Sequence, residues 1–544
     1  MSAPPPAESP SSAGRRLPGA LAPLNAPVYR MLWFTWAAAN LTMWMNDVAA
    51  AWLMTTLTTS PVMVAMVQAA STLPVFLLGL PSGALADILD RRRYYAATQA
   101  WVAAVAAVLA LLALSGGLTA PLLLALTFAN GIGLALRWPV FSAIVPAIVP
   151  RSELPSALAL NGVSMNLARL VGPIVAGALI AAWGSAAVFL LNALLAIASC
   201  WLILRWRNTT QQASALPGER FVGAMRVGLQ HVLQSPRMRV VLARTFSFFL
   251  QTSALTALLP LVALRVHGGG PGTFTVMLSS IGAGAITAAL CFPWLRARYG
   301  RDTFVRVGGL LHAGLSLVVV LAPSLWIALP ALAILGAAWI STANTLAVSA
   351  QMALPDWVRA RGMSIYQVAL MGGVAIGAML WGKVASLSSV PVAVAVAAGL
   401  GALWQLATWR WTVEGEAEED HRPAPSPNTG LAEPAFEIGA DEGPVMVTIE
   451  YLIDPARAAD FATVMQATRQ ARLRQGVLSW GLFRDTTHPG RYVEYFVDES
   501  WTEHQRRLAR FTAADAGLRE QRLAFHTGTE PPRVQRYLAD QAMR

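Results

Sequence analysis

The sequence contains unusually little charge. Asp, Glu, Lys and Arg make up 13% of its 544 residues, whereas 55% are hydrophobic and the mean hydropathy is +0.51. Soluble domains carry about 25% charged residues, and a soluble protein with so few could not cover its own surface. The composition excludes an ordinary soluble protein and indicates that lipid surrounds much of the chain.

Cysteines and catalytic motifs are scarce as well. The two cysteines, Cys200 and Cys291, lie in or beside apolar runs, so we expect no disulfide framework. The sequence has no Gly-rich phosphate loop or other ATP-binding motif, which argues against a primary pump. No spacing of ligating residues matches a metal site, and we expect neither a metal nor a cofactor.

Twelve apolar stretches are long enough for a transmembrane helix, which needs about 20 residues. They predict an all-α polytopic membrane protein with 12 transmembrane helices in two six-helix halves, at 28–207 and 239–412, joined by a cytoplasmic loop at 208–238. The expected spans are 31–57, 61–86, 94–115, 119–142, 155–181 and 184–204, followed by 240–265, 273–295, 303–322, 325–350, 362–385 and 389–411.

Positive charge is concentrated in alternate loops. The net charge is +11, but clusters such as Arg91, Arg92 and Arg93 alternate with breaks that hold almost no Lys or Arg, with Arg265 as the visible exception. Positive residues are retained on the cytoplasmic side because moving them across a bilayer is costly. We expect a multi-pass protein of a bacterial inner (plasma) membrane, with both termini cytoplasmic and no nucleic-acid partner.

Two polar segments flank the first half. Residues 1–27 are rich in Pro, Ser and Ala, which predicts a disordered cytoplasmic arm without a cleavable signal peptide. In the loop between the halves, Phe221, Met225 and Leu229 recur at helical spacing. They indicate either a helix lying in the membrane interface or a short soluble linker helix, and the sequence favours neither.

The composition changes after the last span. Residues 413–443 are acidic and rich in Pro and Gly, which indicates a solvated linker. Beyond it, alternating residues at 445–453 predict a strand, Asp454 and Pro455 begin a helix, and Ser500 with Glu503 forms a capping box for a second helix. With strands at 478–485, 491–498 and about 533–538, the order βαββαβ predicts a small ferredoxin-like cytoplasmic domain at 444–540.

Several motifs resemble the major facilitator superfamily. In the loop GALADILDRRR, Gly83, Asp87, Arg91 and Arg93 match its cytoplasmic loop motif, although Asp90 stands where a glycine is usual. The equivalent loop of the second half, PWLRARYGR, keeps Gly300 and Arg301 but has Ala297 at the acidic position. The resemblance implies a cytoplasmic gate formed by Gly83, Asp87, Arg91, Arg93 and Arg301. The alternative is that these arginines only hold the loops inside.

The fifth span resembles the exporter branch of that superfamily. Its NLARLVGPIVAG stretch contains Gly172, Pro173 and Gly177, and Gly162 precedes it, as in the glycine-proline motif of antiporters. Segments 137–173 and 355–367 resemble the bacterial transmembrane secretion effector family, which includes enterobactin-exporter-like carriers, and this resemblance runs from about 28 to 540. The tail looks like a dimeric α/β-barrel of the antibiotic-biosynthesis-monooxygenase type, which implies homodimer formation through this domain.

Charged residues within spans are candidates for coupling transport to an energy source. A central Asp or Arg costs about 2.5–3.5 kcal/mol, so such residues usually pair or face a cavity. In the fold of the resembled family the first and fifth spans are neighbours, and we expect Asp47 and Arg169 to interact. Protonation of Asp47 would weaken this pairing and bias one of two conformations. The alternative is a static pair that neutralises two buried charges.

The first helix of each three-helix repeat is expected to line the pathway. Each polar candidate is alternatively a helix–helix hydrogen-bonding residue, and Arg137 is alternatively part of a loop. The candidates are Asn40, Trp44, Asn46, Asn130, Arg137, Gln251 and Asn344, with Tyr366 and Gln367 in the eleventh span.

These features predict a secondary active transporter that exports a small amphipathic molecule, such as a drug, siderophore or secondary metabolite, in exchange for protons. We do not expect an enzyme. One alternative is a transporter fused to a monooxygenase-like tail, in which His488, His504 and His526 would line a pocket. Another is a membrane receptor or scaffold that transports nothing.

Overall fold

The computed structural model describes residues 19–150, 153–206, 221–355, 357–414, 422, 424 and 434–540. The predicted N-terminal arm and acidic linker lie mostly outside these residues, as does the first part of the loop between the halves. Side chains at the last turns of the second helix, including Asp87, also lie outside the described part.

The described residues contain twelve long helices, and each coincides with a predicted span. In the first half they are α1 (Pro27–Leu57), α2 (Pro61–Ile88), α3 (Arg91–Ser115), α4 (Ala120–Ile148), α5 (Leu154–Trp183) and α6 (Ser185–Arg205). After the shorter α7 (Phe221–Gln234) come α8 (Pro236–Leu261), α9 (Pro271–Arg296), α10 (Arg301–Leu321), α11 (Leu325–Met352), α12 (Arg359–Leu387) and α13 (Val390–Ala407).

In this part of the chain, eleven of the twelve helices are long and apolar enough to cross a membrane on their own composition. The twelfth is α1, which carries Asn40, Asn46 and Asp47. Asn40 and Asn46 are buried, so α1 presents these polar groups to other helices rather than to lipid, as a polar residue within a bilayer requires.

The two halves repeat one packing pattern. In the first half α1 packs on α5, α2 on α4 and α3 on α6; in the second half α8 packs on α12, α9 on α11 and α10 on α13. The halves meet mainly where α2 packs on α12 and α5 on α9. Within the described residues, α3 and α6 pack chiefly on helices of their own half, which places them on the side away from the interface between the halves.

The halves are joined closely at the end of the bundle opposite to the tail. Gly382 of α12 lies against Ala65 and Pro61 of α2, and Trp52 of α1 stacks on Phe274 of α9 at 5.6 Å between ring centroids. The glycine is needed here because an added Cβ would lie 2.6 Å from the Cβ of Ala65.

The tail forms a four-stranded antiparallel sheet in the order β2-β3-β1-β4, and Phe461 and Met465 of its first helix pack on one face of the sheet. Its elements are β1 (Val445–Leu452), α14 (Ala458–Arg474), β2 (Ser479–Arg484), β3 (Arg491–Asp498), α15 (Trp501–Ala509), α16 (Ala513–Leu523) and β4 (Arg533–Leu538). This confirms the α+β tail. The capping box predicted at Ser500 and Glu503 is wrong: Ser500 caps α15, but the reciprocal box is formed by Thr512 and Asp515 at α16, a helix that the sequence does not predict.

The tail docks on α7. The Arg226 guanidinium lies 2.6 Å from the Glu499 carboxylate, and the Gln230 amide donates to the Val477 carbonyl at 2.8 Å. The polar side of α7 is therefore bound to the tail, as in a linker helix. Leu229 and Leu233 remain exposed on α7, as an interfacial helix would also require.

Candidate functional site

Helices α1 and α5 run side by side in the same direction. The Tyr29 hydroxyl donates to the Ala157 carbonyl at 2.9 Å, and the Trp33 indole donates to the Leu160 carbonyl at 3.2 Å. Further along, Gly172 lies against Trp44, where an added Cβ would be 2.7 Å from the Trp44 Cβ. This glycine lets the two backbones approach closely.

Arg169 lies one turn before Gly172 and reaches toward the other half of the protein. Its guanidinium carbon is 5.4 Å from the centroid of the Trp44 ring and 5.2 Å from that of the Trp339 ring. Tyr366 of α12 is close enough to interact electrostatically with it. Three residues that the sequence analysis names separately, Trp44, Arg169 and Tyr366, therefore lie together with Trp339. We call these four residues the interface cluster.

The predicted pairing of Asp47 with Arg169 is absent in this structure. Because Gly172 lies beside Trp44, Arg169 is level with Leu41, and Asp47 lies about 9 Å further along α1 at 1.5 Å per residue. The Asp47 carboxyl group instead faces the Ser71 hydroxyl on α2. One turn before Ser71 on α2, Gln68 accepts a hydrogen bond of 3.3 Å from Thr256 of α8. Asp47 is therefore close to a polar contact between the halves.

Four predicted pathway residues lie away from the interface cluster. The Arg137 guanidinium donates to the Asn40 amide oxygen at 3.4 Å, and the Asn192 amide donates to Asn46 at 3.5 Å. Arg137 and Asn130 line a cavity of about 20 Å³ among α1, α3, α4 and α6. Asn40, Asn46, Asn130 and Arg137 thus face the interior of the first half, not its interface with the second, and Arg137 is buried rather than part of a loop.

The predicted pathway residues of the second half also lie in different surroundings. Gln251 is buried against Gly401 of α13, where an added Cβ would lie 2.3 Å from its amide. It packs inside the half, as a helix–helix residue would. Tyr366 is buried and interacts with Thr245 of α8. Asn344 and Gln367 are partly buried, on α11 and α12.

The predicted gate is described only in part. Gly83 and Asp87 belong to α2, but the surroundings of Gly83 and the side chain of Asp87 lie outside what the structure describes. Asp90 accepts from the backbone of Arg93 and caps α3, so this departure from the motif begins a helix. Arg91 and the exposed Arg93 stand in the first turn of α3.

The neighbouring arginines have structural contacts. Arg92 donates to the carbonyls of Ile203 and Leu204; a cation at a helix C-terminus is stabilising. Arg301 begins α10 and lines a surface pocket with Glu414, which follows α13 in the same half.

The glycine-proline motif has two close contacts and one open position. Gly172 meets α1, and Gly177 meets Thr275 of α9 in the other half. Pro173 lies inside α5. An added Cβ at Gly162 would meet no described atom within 4 Å, so the packing role of Gly162 has no support among the described residues and stays a prediction.

Sequence reasoning misses Trp339, Gln68, Gln99 and Asn192. From the sequence, Trp339 is one of many general lipid-facing aromatics, and only its position opposite Arg169 distinguishes it. The other three are lone amides in apolar spans, and this is the signal that could have found them.

The histidines predicted to line a tail pocket do not come together in the structure. His504 is buried and forms a hydrogen bond of 2.8 Å with the Asp498 carboxylate. His488 lies in the exposed turn beside Asp485, and His526 meets the backbone of Leu452 at 3.1 Å. Their separation gives no specific support to the enzyme alternative.

The tail does contain a buried carboxylate. Glu494 accepts from Tyr451 at 3.0 Å, Trp480 at 3.0 Å and Arg472 at 3.2 Å. Burial by itself would raise the pKa of Glu494, but the guanidinium groups of Arg472 and Arg522 and these hydrogen bonds hold the pKa below its ordinary value. Glu494 is thus a charged, hydrogen-bonded part of the domain core.

The known proteins that this chain resembles include efflux proteins and transporters. The family model described as transmembrane secretion effector matches residues 18–543. Macrolide efflux protein A of Streptococcus pyogenes is 23% identical over 290 residues, which are 53% of this chain and 71% of that protein. The staphyloferrin A transporter of Staphylococcus aureus is 24% identical over 348 residues, 62% of this chain and 84% of that protein.

Solved structures share the fold. The nucleoside transporter NupG superposes with a TM-score of 0.54 at 13% identity, covering 71% of this chain and 100% of that one. A bacterial homologue of the human lysosomal transporter Spinster gives a TM-score of 0.54 at 14% identity, covering 71% and 94%. At such low identity the likeness shows the arrangement of helices alone.

Proposed function

The chain belongs to the transmembrane secretion effector family, and on that premise we propose that it exports a small amphipathic molecule in exchange for protons. It is a multi-pass bacterial membrane protein and a secondary transporter that exports small molecules. The proposal concerns the character of the cargo, the coupling ion and the residues that act.

The observation that carries the proposal is the interface cluster. Arg169 belongs to the first half and Trp339 to the second, and their contact at 5.2 Å joins the halves. Trp and Tyr rings with one guanidinium suit a cargo that has both an apolar body and polar groups. A rearrangement of the halves would change these contacts directly, as alternating access requires.

Asp47 is proposed as the proton-accepting group. It faces Ser71 of α2, close to the contact between Gln68 and Thr256 that joins the halves. Neutralising Asp47 would change the packing of α1 on α2 and so bias the interface. One proton entering through about 100 mV releases about 2.3 kcal/mol, enough for roughly 50-fold accumulation at about 1.4 kcal/mol per decade.

We propose that the protein lies in the inner membrane with its tail on the cytoplasmic side. It is supported by arginines at the end of the bundle from which the tail leaves, such as Arg296 and Arg298, which line a pocket with Glu414 after the last helix. The close packing of the halves at the opposite end is then a closed outer face. Glu520 is exposed, and a Cys introduced there should react with a membrane-impermeant thiol reagent only after the cells are broken. Labelling in intact cells would show that the orientation is the opposite one.

Coupling is tested with inverted vesicles, a fluorescent amphipathic dye and an imposed pH gradient. Wild type should accumulate dye, and Asp47→Asn should lose gradient-driven accumulation while keeping dye exchange at equilibrium. Asp90→Asn is the matched control, since Asp90 caps α3 and an Asn cap is an equivalent acceptor. If Asp47→Asn still accumulates dye when a pH gradient is imposed, Asp47 is not the coupling group, but the proposal that the protein exports small molecules is unaffected.

The tail is proposed as a dimerisation module. The sheet face away from α14 carries Phe483, which is 61% exposed and stacks on Tyr495 at 5.5 Å. A second copy of the domain would cover these aromatic side chains. Mass measurement of the detergent-purified full chain should give a dimer, and Phe483→Glu should give a monomer that still exports. A monomeric wild type would contradict this role.

A further inference from the structure

The first half contains a partly open cavity, of mixed polar and apolar lining, away from its interface with the second half. The cavity has a volume of about 20 Å³; half of its lining is apolar, and the polar half is Arg137, Asn130, Gln99, Asn192, Thr42 and Ser199. This is room for about one particle of the size of a water molecule.

The polar atoms around this cavity are poorly satisfied by the protein. Arg137 Nε, Gln99 Oε1, Asn130 Oδ1 and Asn192 Oδ1 are buried and have no hydrogen-bond partner among the described residues. Buried polar groups are normally paired, with protein or with a bound particle. An amide can present either its oxygen or its N–H groups to such a particle.

The charge of Arg137 is poorly compensated as well. Arg137 is 3% exposed. Its contacts are one long hydrogen bond of 3.4 Å to Asn40, the ring of Trp36 at 5.3 Å and an electrostatic interaction with the neutral Tyr95 side chain. None of the described carboxylates forms an ion pair with it. A cation buried without a counter-charge is strongly disfavoured, so a compensating anion is expected.

Arg244 in the second half provides the contrast. It is equally buried, at 2%, but its guanidinium donates to Gln405, Thr408 and Trp411, three oxygen acceptors of the protein. The protein therefore gives both terminal nitrogens of Arg244 acceptors and leaves only its Nε without one, whereas Arg137 has one long hydrogen bond and lies beside a cavity. We propose that this cavity is a binding site for a small monovalent anion of the size of chloride, held by Arg137 and the amides of Asn130 and Gln99.

The test is thermal unfolding of the full-length protein in detergent, with the sodium salts of chloride, bromide, gluconate and sulfate at equal ionic strength. Chloride and bromide should raise the melting temperature in a saturable way by a few degrees over gluconate. Sulfate should behave like gluconate because it is too large for the cavity. Equal melting temperatures in all four salts would mean that the cavity holds only water, and would overturn the proposal.

Variants locate the effect. Arg137→Gln should abolish the halide-dependent rise, and Arg244→Gln should keep it because that arginine has protein acceptors. If Arg137→Gln does not fold, Asn130→Leu provides the second variant, since it fills the cavity and removes one amide. A full halide effect in Asn130→Leu, or its loss in Arg244→Gln, would place the anion elsewhere and refute the site.

Discussion

The guanidinium of Arg169 and the indole of Trp339 lie 5.2 Å apart, one on each half of the protein. Trp44, on the same half as Arg169, covers the guanidinium at 5.4 Å. Arg169 is therefore a cation held by aromatic rings from both halves, at the surface along which they would move.

The first prediction concerns this contact. A cation–π pair contributes about 0.5–2 kcal/mol depending on its exposure, so Trp339→Leu should slow export of the amphipathic dye about 2- to 30-fold. Arg169→Gln should slow export at least as much. The double variant should be no slower than the worse single variant, because both changes remove one interaction. Strictly multiplicative losses would show that the two residues act independently.

The second prediction concerns helix packing at Gly172. A Val there would place its Cβ 2.7 Å from that of Trp44, and overpacking of this kind costs about 1–3 kcal/mol. Gly172→Val should lower the melting temperature and reduce export. Gly162→Val is the matched control on the same helix, where space is open, and should change stability by less than about 0.5 kcal/mol. Equal effects of the two would contradict the close α1–α5 contact.

The third prediction concerns docking of the tail on α7. The Arg226 and Glu499 side chains are 32% and 40% exposed, so their pair contributes only about 0.2–1 kcal/mol. Charge reversal by Arg226→Glu or Glu499→Arg should broaden the distance distribution between spin labels at Leu233 and Glu520, in a background without the native cysteines. The double reversal should restore it. Unchanged distributions in both single variants would mean that Gln230 and its neighbours hold the tail without this pair.

The fourth prediction concerns the pH dependence of the tail. Because the pKa of Glu494 is lowered in the folded domain, the unfolded domain takes up the proton first. The stability that Glu494 contributes is present above its unfolded pKa of about 4.3 and is lost as pH falls through the lower folded value.

Glu494→Gln should therefore destabilise the tail at neutral pH by about 3–5 kcal/mol, since it leaves Arg472 buried beside a neutral group. It should also flatten the loss of stability below about pH 4. Hydrogen exchange of β1 in the full chain, corrected for the intrinsic effect of pH, measures both. A variant with the wild-type acid profile would show that another group, such as Asp498, governs it.

For much of the candidate site, the sequence predicts which residues are buried and polar but not which residues they contact. As polar groups in a membrane span must face something other than lipid, Asn40, Asn46 and Arg137 are buried and Asn130 lines the cavity beside Arg137. They face the interior of the first half in this structure, and their assignment to the pathway stays a prediction, because helical position within a span does not say which neighbour a side chain meets. Likewise, Asp47 and Arg169 are on adjacent helices, but the register fixed by Gly172 keeps them apart.

The sequence by itself determined the twelve helices, the two halves and the separate α+β tail, because apolar length and loop charge report directly on insertion into a bilayer. Only the tertiary structure decided which buried groups meet: Arg169 with Trp339, Asp47 with Ser71, and Arg137 with a cavity. The physical reason is that lipid and protein interior are both apolar. A helix with apolar residues on every side therefore does not reveal in its sequence which face meets a partner.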